Sequence, residues 1–265
     1  MLARYFRPVR HSRIHKSQPS KYMKPSFPLP SSLSLLLLCL LSSLASAQHS
    51  SDILFQEDWS SHAEGPPDQT GSAWKFLCLD RGLIEVVENQ SPFGKSQNAL
   101  KIEHTDETSW GPRAIGVFPS PVSEAITVSF DFLLDGKSTD QPTFKLGGGT
   151  NESPASGLYI ALDNVGFPTS IPGRNVVNRM SGDLADAICP VSRKQWYRVV
   201  LEIAKPAEEK FNIIVTPGGG DPVRVDGLSF RAPLLEYGEL SFSTNTNGGS
   251  GILYVTNIQV SAAKK

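Results

Sequence analysis

Apolar and polar side chains alternate along several stretches of this chain, with a period of two. In Ile126–Leu134, Ile126, Val128, Phe130, Phe132 and Leu134 fall on one side and Thr127, Ser129 and Asp131 on the other. Successive residues of a strand point to opposite faces, so the stretch predicts a strand with one buried and one wet face. Trp196–Ile203 repeats the pattern, setting Tyr197, Val199, Leu201 and Ile203 against Arg198 and Glu202. Phe211, Ile213 and Val215 make a further apolar face that stops at Pro217 and Gly218–Gly220. Leu240, Phe242 and Thr244 alternate with Ser241, Ser243 and Asn245. Ile252–Val260 is apolar on nearly both sides, as a central strand is. Weaker stretches near 53–58, 73–79, 83–88, 99–104, 113–118, 142–146 and 157–163 add strands, with Gly, Pro, Asn, Asp and Ser between them.

Helical spacing is nearly absent. Asp183–Ile188 could supply one or two turns, and the rest reads as about a dozen short strands. Such a series predicts an all-β, two-sheet antiparallel sandwich. No linker, repeat or low-complexity tract interrupts it, so one domain is expected over residues 50–263.

The N-terminus follows a different logic. Residues 33–44 read LSLLLLCLLSSL, too short a run to span a bilayer comfortably. Basic residues precede it, Ala45-Ser46-Ala47 follows it, and residues 1–47 contain no acid, which is the layout of a secretory signal peptide. A start at Met23 gives this leader its ordinary length, so Met23 is the expected initiator. Cleavage after Ala47 would leave 218 residues with no membrane span, secreted to the periplasm or beyond the cell.

Removing the leader changes the charge. Seven of the 25 basic residues lie within it, which leaves 18 basic against 26 acidic side chains, a net charge of −8. An acidic domain repels phosphate backbones, so nucleic acid is excluded as a partner. Of three cysteines, Cys39 leaves with the leader. Cys78 and Cys189 remain, an even pair in an oxidising compartment, and are expected to form one disulfide worth about 4–5 kcal/mol at most.

The first and last strands carry a resemblance. The domain opens on Leu54-Phe55-Gln56-Glu57-Asp58-Trp59 and closes on Gly251-Ile252-Leu253-Tyr254-Val255-Thr256-Asn257-Ile258-Gln259-Val260. Together with Ile126–Leu134 and Gln195-Trp196-Tyr197-Arg198-Val199, this resembles the concanavalin A-like (laminin G-like) jelly rolls of secreted bacterial proteins. The resemblance implies a jelly-roll sandwich and, less directly, an extracellular carbohydrate partner. Related sandwiches often carry Asp where this chain has Thr256, and acids near both termini can hold a structural calcium there. Glu57 and Asp58 could contribute oxygens, but Thr256 offers only a neutral hydroxyl, so calcium finds no support and no cofactor is expected.

Catalytic signatures are missing. Gly94-Lys95-Ser96 and Gly136-Lys137-Ser138 lack the upstream glycine of a phosphate-binding loop. After the leader, His49, His62 and His104 have no metal-ligand spacing, and no serine sits in a nucleophile elbow. Glu85 and Glu88 point to opposite faces of one strand, and the 126–134 strand offers Asp131 alone, so no carboxylate pair for glycoside hydrolysis is visible. Binding signals are better. Sugar sites combine an aromatic platform with planar hydrogen-bonding groups, often on loops. Trp110 and Arg113 lie near a turn, Tyr159 flanks Gly157, and Gly173-Arg174-Asn175 and Asn178-Arg179 sit in a polar connection. Trp110, Arg113, Tyr159, Arg174 and Asn175 are the candidate ligand residues, whereas Trp59, Trp74 and Trp196 are expected in the core. A non-catalytic carbohydrate-binding module leads. An adhesive protein that binds another protein, and a polysaccharide hydrolase or lyase, remain as alternatives.

Overall fold

A computed structural model describes residues 52–105, 111–136, 141–148, 157–164, 171–180, 184–244 and 251–263. The expected leader, with Met23 and the site after Ala47, lies outside the described residues. In chain order the strands are β1 (Ile53–Glu57), β2 (Trp74–Leu77), β3 (Gly82–Glu88), β4 (Asn98–His104), β5 (Arg113–Val122), β6 (Ile126–Gly136), β7 (Thr143–Gly147) and β8 (Leu158–Ala161). They continue as β9 (Asn175–Arg179), β10 (Ala185–Pro190), β11 (Trp196–Ile203), β12 (Lys210–Pro217), β13 (Val223–Ser229), β14 (Tyr237–Ser243) and β15 (Gly251–Ala262).

These strands form two antiparallel sheets. The eight-stranded sheet runs β13-β12-β11-β6-β15-β4-β3, with β1 also paired to β15, and the seven-stranded sheet runs β10-β9-β8-β7-β14-β5-β2. The period-two stretches meet in register: Phe130 of β6 lies opposite Val199 of β11, and Val199 opposite Val215 of β12. Their apolar sides face those of the other sheet. Phe130 lies 4.8 Å from Phe144 of β7 and 5.0 Å from Phe242 of β14, ring centre to ring centre. Trp59 and Trp74 pack at 5.0 Å, and Trp196 is also buried, so all three belong to the core. Trp59 reaches it from a turn after β1, in a left-handed conformation with φ 63°. Among the described residues, no helix is long and apolar enough to cross a membrane.

Two expectations need correction. Ala185–Ile188 is part of β10, not a helical turn, because its backbone pairs with β9 at the sheet edge. Cys78 and Cys189 do not form a disulfide; both are free thiols. Cys78 directly follows β2 at one edge of the seven-stranded sheet, and Cys189 lies in β10 at the other edge. Six strand spacings separate these edges, about 29 Å at ~4.8 Å each, whereas a disulfide needs α-carbons within about 7 Å. Cys189 is buried, and desolvation pushes its thiol up to about 11, while Cys78 is exposed. A maleimide reagent should therefore label Cys78 in the folded protein and Cys189 only after unfolding. A reductant should leave the melting temperature unchanged, and a drop of several degrees on reduction would contradict the separation.

On the outer face of the eight-stranded sheet, the loop after β3 folds down over Asp131. This carboxylate is fully buried and accepts from Arg198 Nε (2.7 Å), Arg198 Nη2 (3.1 Å), Ser91 Oγ (2.7 Å) and Asn257 Nδ2 (2.7 Å). Nearby, Thr256 Oγ1 donates to the carbonyls of Asp58 (3.2 Å) and Asn98 (2.8 Å). Glu57 accepts from Trp59 N–H (2.8 Å) and faces His62 Nε2 (3.3 Å). Asp58 Oδ1 accepts from Ser60 N–H (3.0 Å) and Ser60 Oγ (2.6 Å). Among the described residues, no group of three or more His, Cys, Asp or Glu side chains is placed to hold a metal ion.

Candidate functional site

The seven-stranded sheet supplies the site through the same alternation that builds the core. In β7, Phe144 and Leu146 point inward, so Lys145 points out. In β8, Leu158 and Ile160 point inward and Tyr159 points out. Cross-strand pairing sets Lys145 opposite Tyr159 on one side and opposite Ser241 of β14 on the other. Ser241 in turn faces Ile115 of β5, and Ser243 faces Arg113, so Arg113 shares this outer face. Pairing of Ala161 with Val177 places Arg179 of β9 there as well. Arg231 comes from the segment after β13, whose backbone N–H donates to Gly157 O at 2.6 Å.

These cations gather on one ring. Lys145 Nζ lies 4.8 Å from the centre of the Tyr159 ring, Arg231 Cζ 5.0 Å and Arg179 Cζ 5.5 Å. Each contact is a cation–π interaction worth about 0.5–2 kcal/mol. Arg179 is also tied to Gln141, its Nη1 donating to Oε1 at 3.3 Å. Lys145, Tyr159 and Arg179 are recessed, with 8%, 7% and 8% of their surfaces exposed, and Arg113 and Arg231 are half-exposed in front of them. Burial, then the charges of Arg113, Arg231 and Arg179, pull the Lys145 ammonium down to about 8. Glu239 of β14 shares the face. Burial pushes its carboxyl up, Lys75 and Arg113 pull it back, and its Oε1 is buried without a hydrogen-bond partner.

The candidates from sequence divide. Arg113 and Tyr159 belong to this cluster, although the Tyr159 ring is covered by cations rather than open as a platform. Arg174 instead pairs through Nη2 with the buried carboxylate of Asp163, which Arg193 also approaches at 3.9 Å. Asn175 pins the turn before β9: its backbone N–H donates to Asn164 Oδ1 (2.7 Å) and its Nδ2 to Pro172 O (3.0 Å). Trp110 lies outside the described residues. Lys145 and Arg231 were not visible as site residues from sequence. A lone lysine inside the apolar run Thr143–Leu146 was the available signal for the first, whereas Arg231 follows no pattern.

No family model matches the chain, and no curated protein matches it in sequence. Solved structures do match. An endo-β-1,4-glucuronan lyase from the fungus Trichoderma reesei has a TM-score of 0.52 at 16% identity, over 80% of this chain and 96% of its own. Peanut lectin, solved with a nine-residue peptide, gives 0.51 at 13% identity, over 76% of this chain and 97% of its own. The alginate lyase Aly36B gives 0.51 at 10% identity, over 81% of this chain and 99% of its own. The chain shares the fold of lectins and polysaccharide lyases. That fold is the concanavalin A-like jelly roll, here with two sheets of eight and seven strands. At such identities the likeness concerns the fold alone.

Proposed function

We propose that this chain binds an extracellular polysaccharide across the outer face of the seven-stranded sheet. The observation that carries this reading is the gathering of Arg113, Lys145, Arg179 and Arg231 around Tyr159 on that face. Recessed donors with half-exposed arginines in front suit the many oxygens of a sugar chain. The fold supports it too, since similar structures include a lectin and two polysaccharide lyases. Nucleic acid is not proposed, given the acidic balance of residues 48–265.

Affinity electrophoresis against plant, algal and bacterial polysaccharides tests the reading. At least one should retard the protein. Arg113→Ala and Arg231→Ala should each weaken that binding roughly 10- to 100-fold, as a lost charge-assisted hydrogen bond of about 1.5–3 kcal/mol would. Failure of every polysaccharide to bind would remove the proposal. A second reading, cleavage of the bound chain, draws on Lys145, because an amine held near pH 8 can serve as a proton acceptor. Ultraviolet absorbance from an unsaturated sugar end, growing with enzyme and lost in Lys145→Met, would favour it over binding alone.

A further inference from the structure

The structure assigns a charge to the sugar: we infer that the ligand is an anionic glycan, whose carboxylate or sulfate group sits against Arg113, Lys145 and Arg231. This rests on the carbohydrate reading above and narrows it. Three strands and one connecting segment contribute the cations, so the cluster is not a local accident of sequence. Two arginines and a lysine share one tyrosine ring, at 4.8 to 5.5 Å. Like charges held this close repel, and the repulsion is screened weakly where side chains are recessed.

The ring is a weak partner for so many cations, since it carries no net charge. Cation–π attraction to one tyrosine is shared among three cations, and Lys145 is lowered to about 8 first by burial and then by the charges of Arg113, Arg231 and Arg179. The nearby carboxyl, Glu239, is influenced by Lys75 and Arg113, and burial favours its neutral form. A ligand anion would be attracted to all of these cations at once, with Arg113 and Arg231 half-exposed to meet it. Guanidinium groups match both carboxylates and sulfates through paired N–H donors. A neutral sugar would gain little here, because the ring it would stack on is 7% exposed and already covered.

Matched oligosaccharides decide the point. The full chain would be titrated with β-1,4-linked glucan and mannan oligomers in three forms, with C6 as the alcohol, as the carboxylate and as the sulfate ester. At least one charged form should bind ten times or more tightly than its neutral counterpart, and that margin should shrink as salt is raised. The carboxylate and sulfate arms identify which anion is preferred. Arg113→Gln with Arg231→Gln should abolish the preference while the melting temperature does not fall below that of the parent. Equal or tighter binding of the neutral forms would overturn the charge assignment and leave the carbohydrate reading intact. Binding of no form, with the wider polysaccharide panel also negative, would overturn both.

Discussion

Asp131→Ala should lower the melting temperature by roughly 6–20 °C, which corresponds to about 3–5 kcal/mol in a domain of this size. The carboxylate is fully buried on the outer face of β6 and accepts four hydrogen bonds, two of them from Arg198. Its removal leaves a guanidinium, an amide and a hydroxyl facing a hole, and the guanidinium charge has lost its counter-ion. The three partners come from the loop after β3, from β11 and from β15, so the loss also loosens the loop that covers the sheet. Thermal unfolding followed by circular dichroism gives the size of the effect. The cause is separated by the pair Asp131→Leu with Arg198→Leu. Removing both charges should recover much of the loss, since a missing buried pair costs less than a broken one. A single variant within about 1 kcal/mol of the parent would show that the cluster does not hold the loop.

The strands with one wet face were legible in the sequence because alternation survives wherever the other face packs on a core. Ile126–Leu134, Trp196–Ile203 and Phe211–Val215 became β6, β11 and β12 for this reason. The edge strands β10 and β13 were not legible, unlike β2 and β3 at the opposite edges. In β10 the residues Ala185, Asp186 and Ala187 are partly or wholly exposed, and in β13 Val223, Arg224, Asp226 and Gly227 are exposed, so neither carries a clean apolar side. Their strand character comes from pairing with β9 and β12, which is a tertiary fact. The cysteines failed on similar grounds. An even count in a chain expected to be exported says nothing about which sheet edge each thiol occupies.

The site was half legible. Arg113 and Tyr159 were found through their turns, Arg174 and Asn175 proved to be bound up in the polar contacts of their own turn, and Lys145 passed unnoticed. A lysine between Phe144 and Leu146 belongs to the wet side of its strand, and position two of an alternating run is where a solvated lysine is ordinary. Only the fold shows three arginines converging on it.

Lys145→Met should make the protein more stable, by about 1–3 kcal/mol at pH 7, while it weakens glycan binding. The amine falls from its usual 10.5 to about 8 in the folded state, and each unit is worth about 1.4 kcal/mol, which sets the upper figure near 3. Between pH 8 and 10.5 the unfolded chain holds more protons than the folded one, so stability of the parent should rise with pH across that window. Below pH 8 the full penalty of burying the ammonium is present, and above about 10.5 it has gone. The advantage of methionine should therefore be largest at neutral pH and fade toward pH 10. Denaturant titrations at pH 7 and pH 10 measure both halves of this claim, and a variant less stable than the parent at pH 7 would contradict it. The contrast with Asp131 is informative. Both side chains are buried and ionisable on an outer sheet face, yet one is held by an opposite charge and two neutral donors and the other is surrounded by charges of its own sign. The first is explained by the fold it holds. On the proposed reading, the second is explained by the ligand: a charge that weakens the fold and whose removal also weakens binding would be held in place for the glycan.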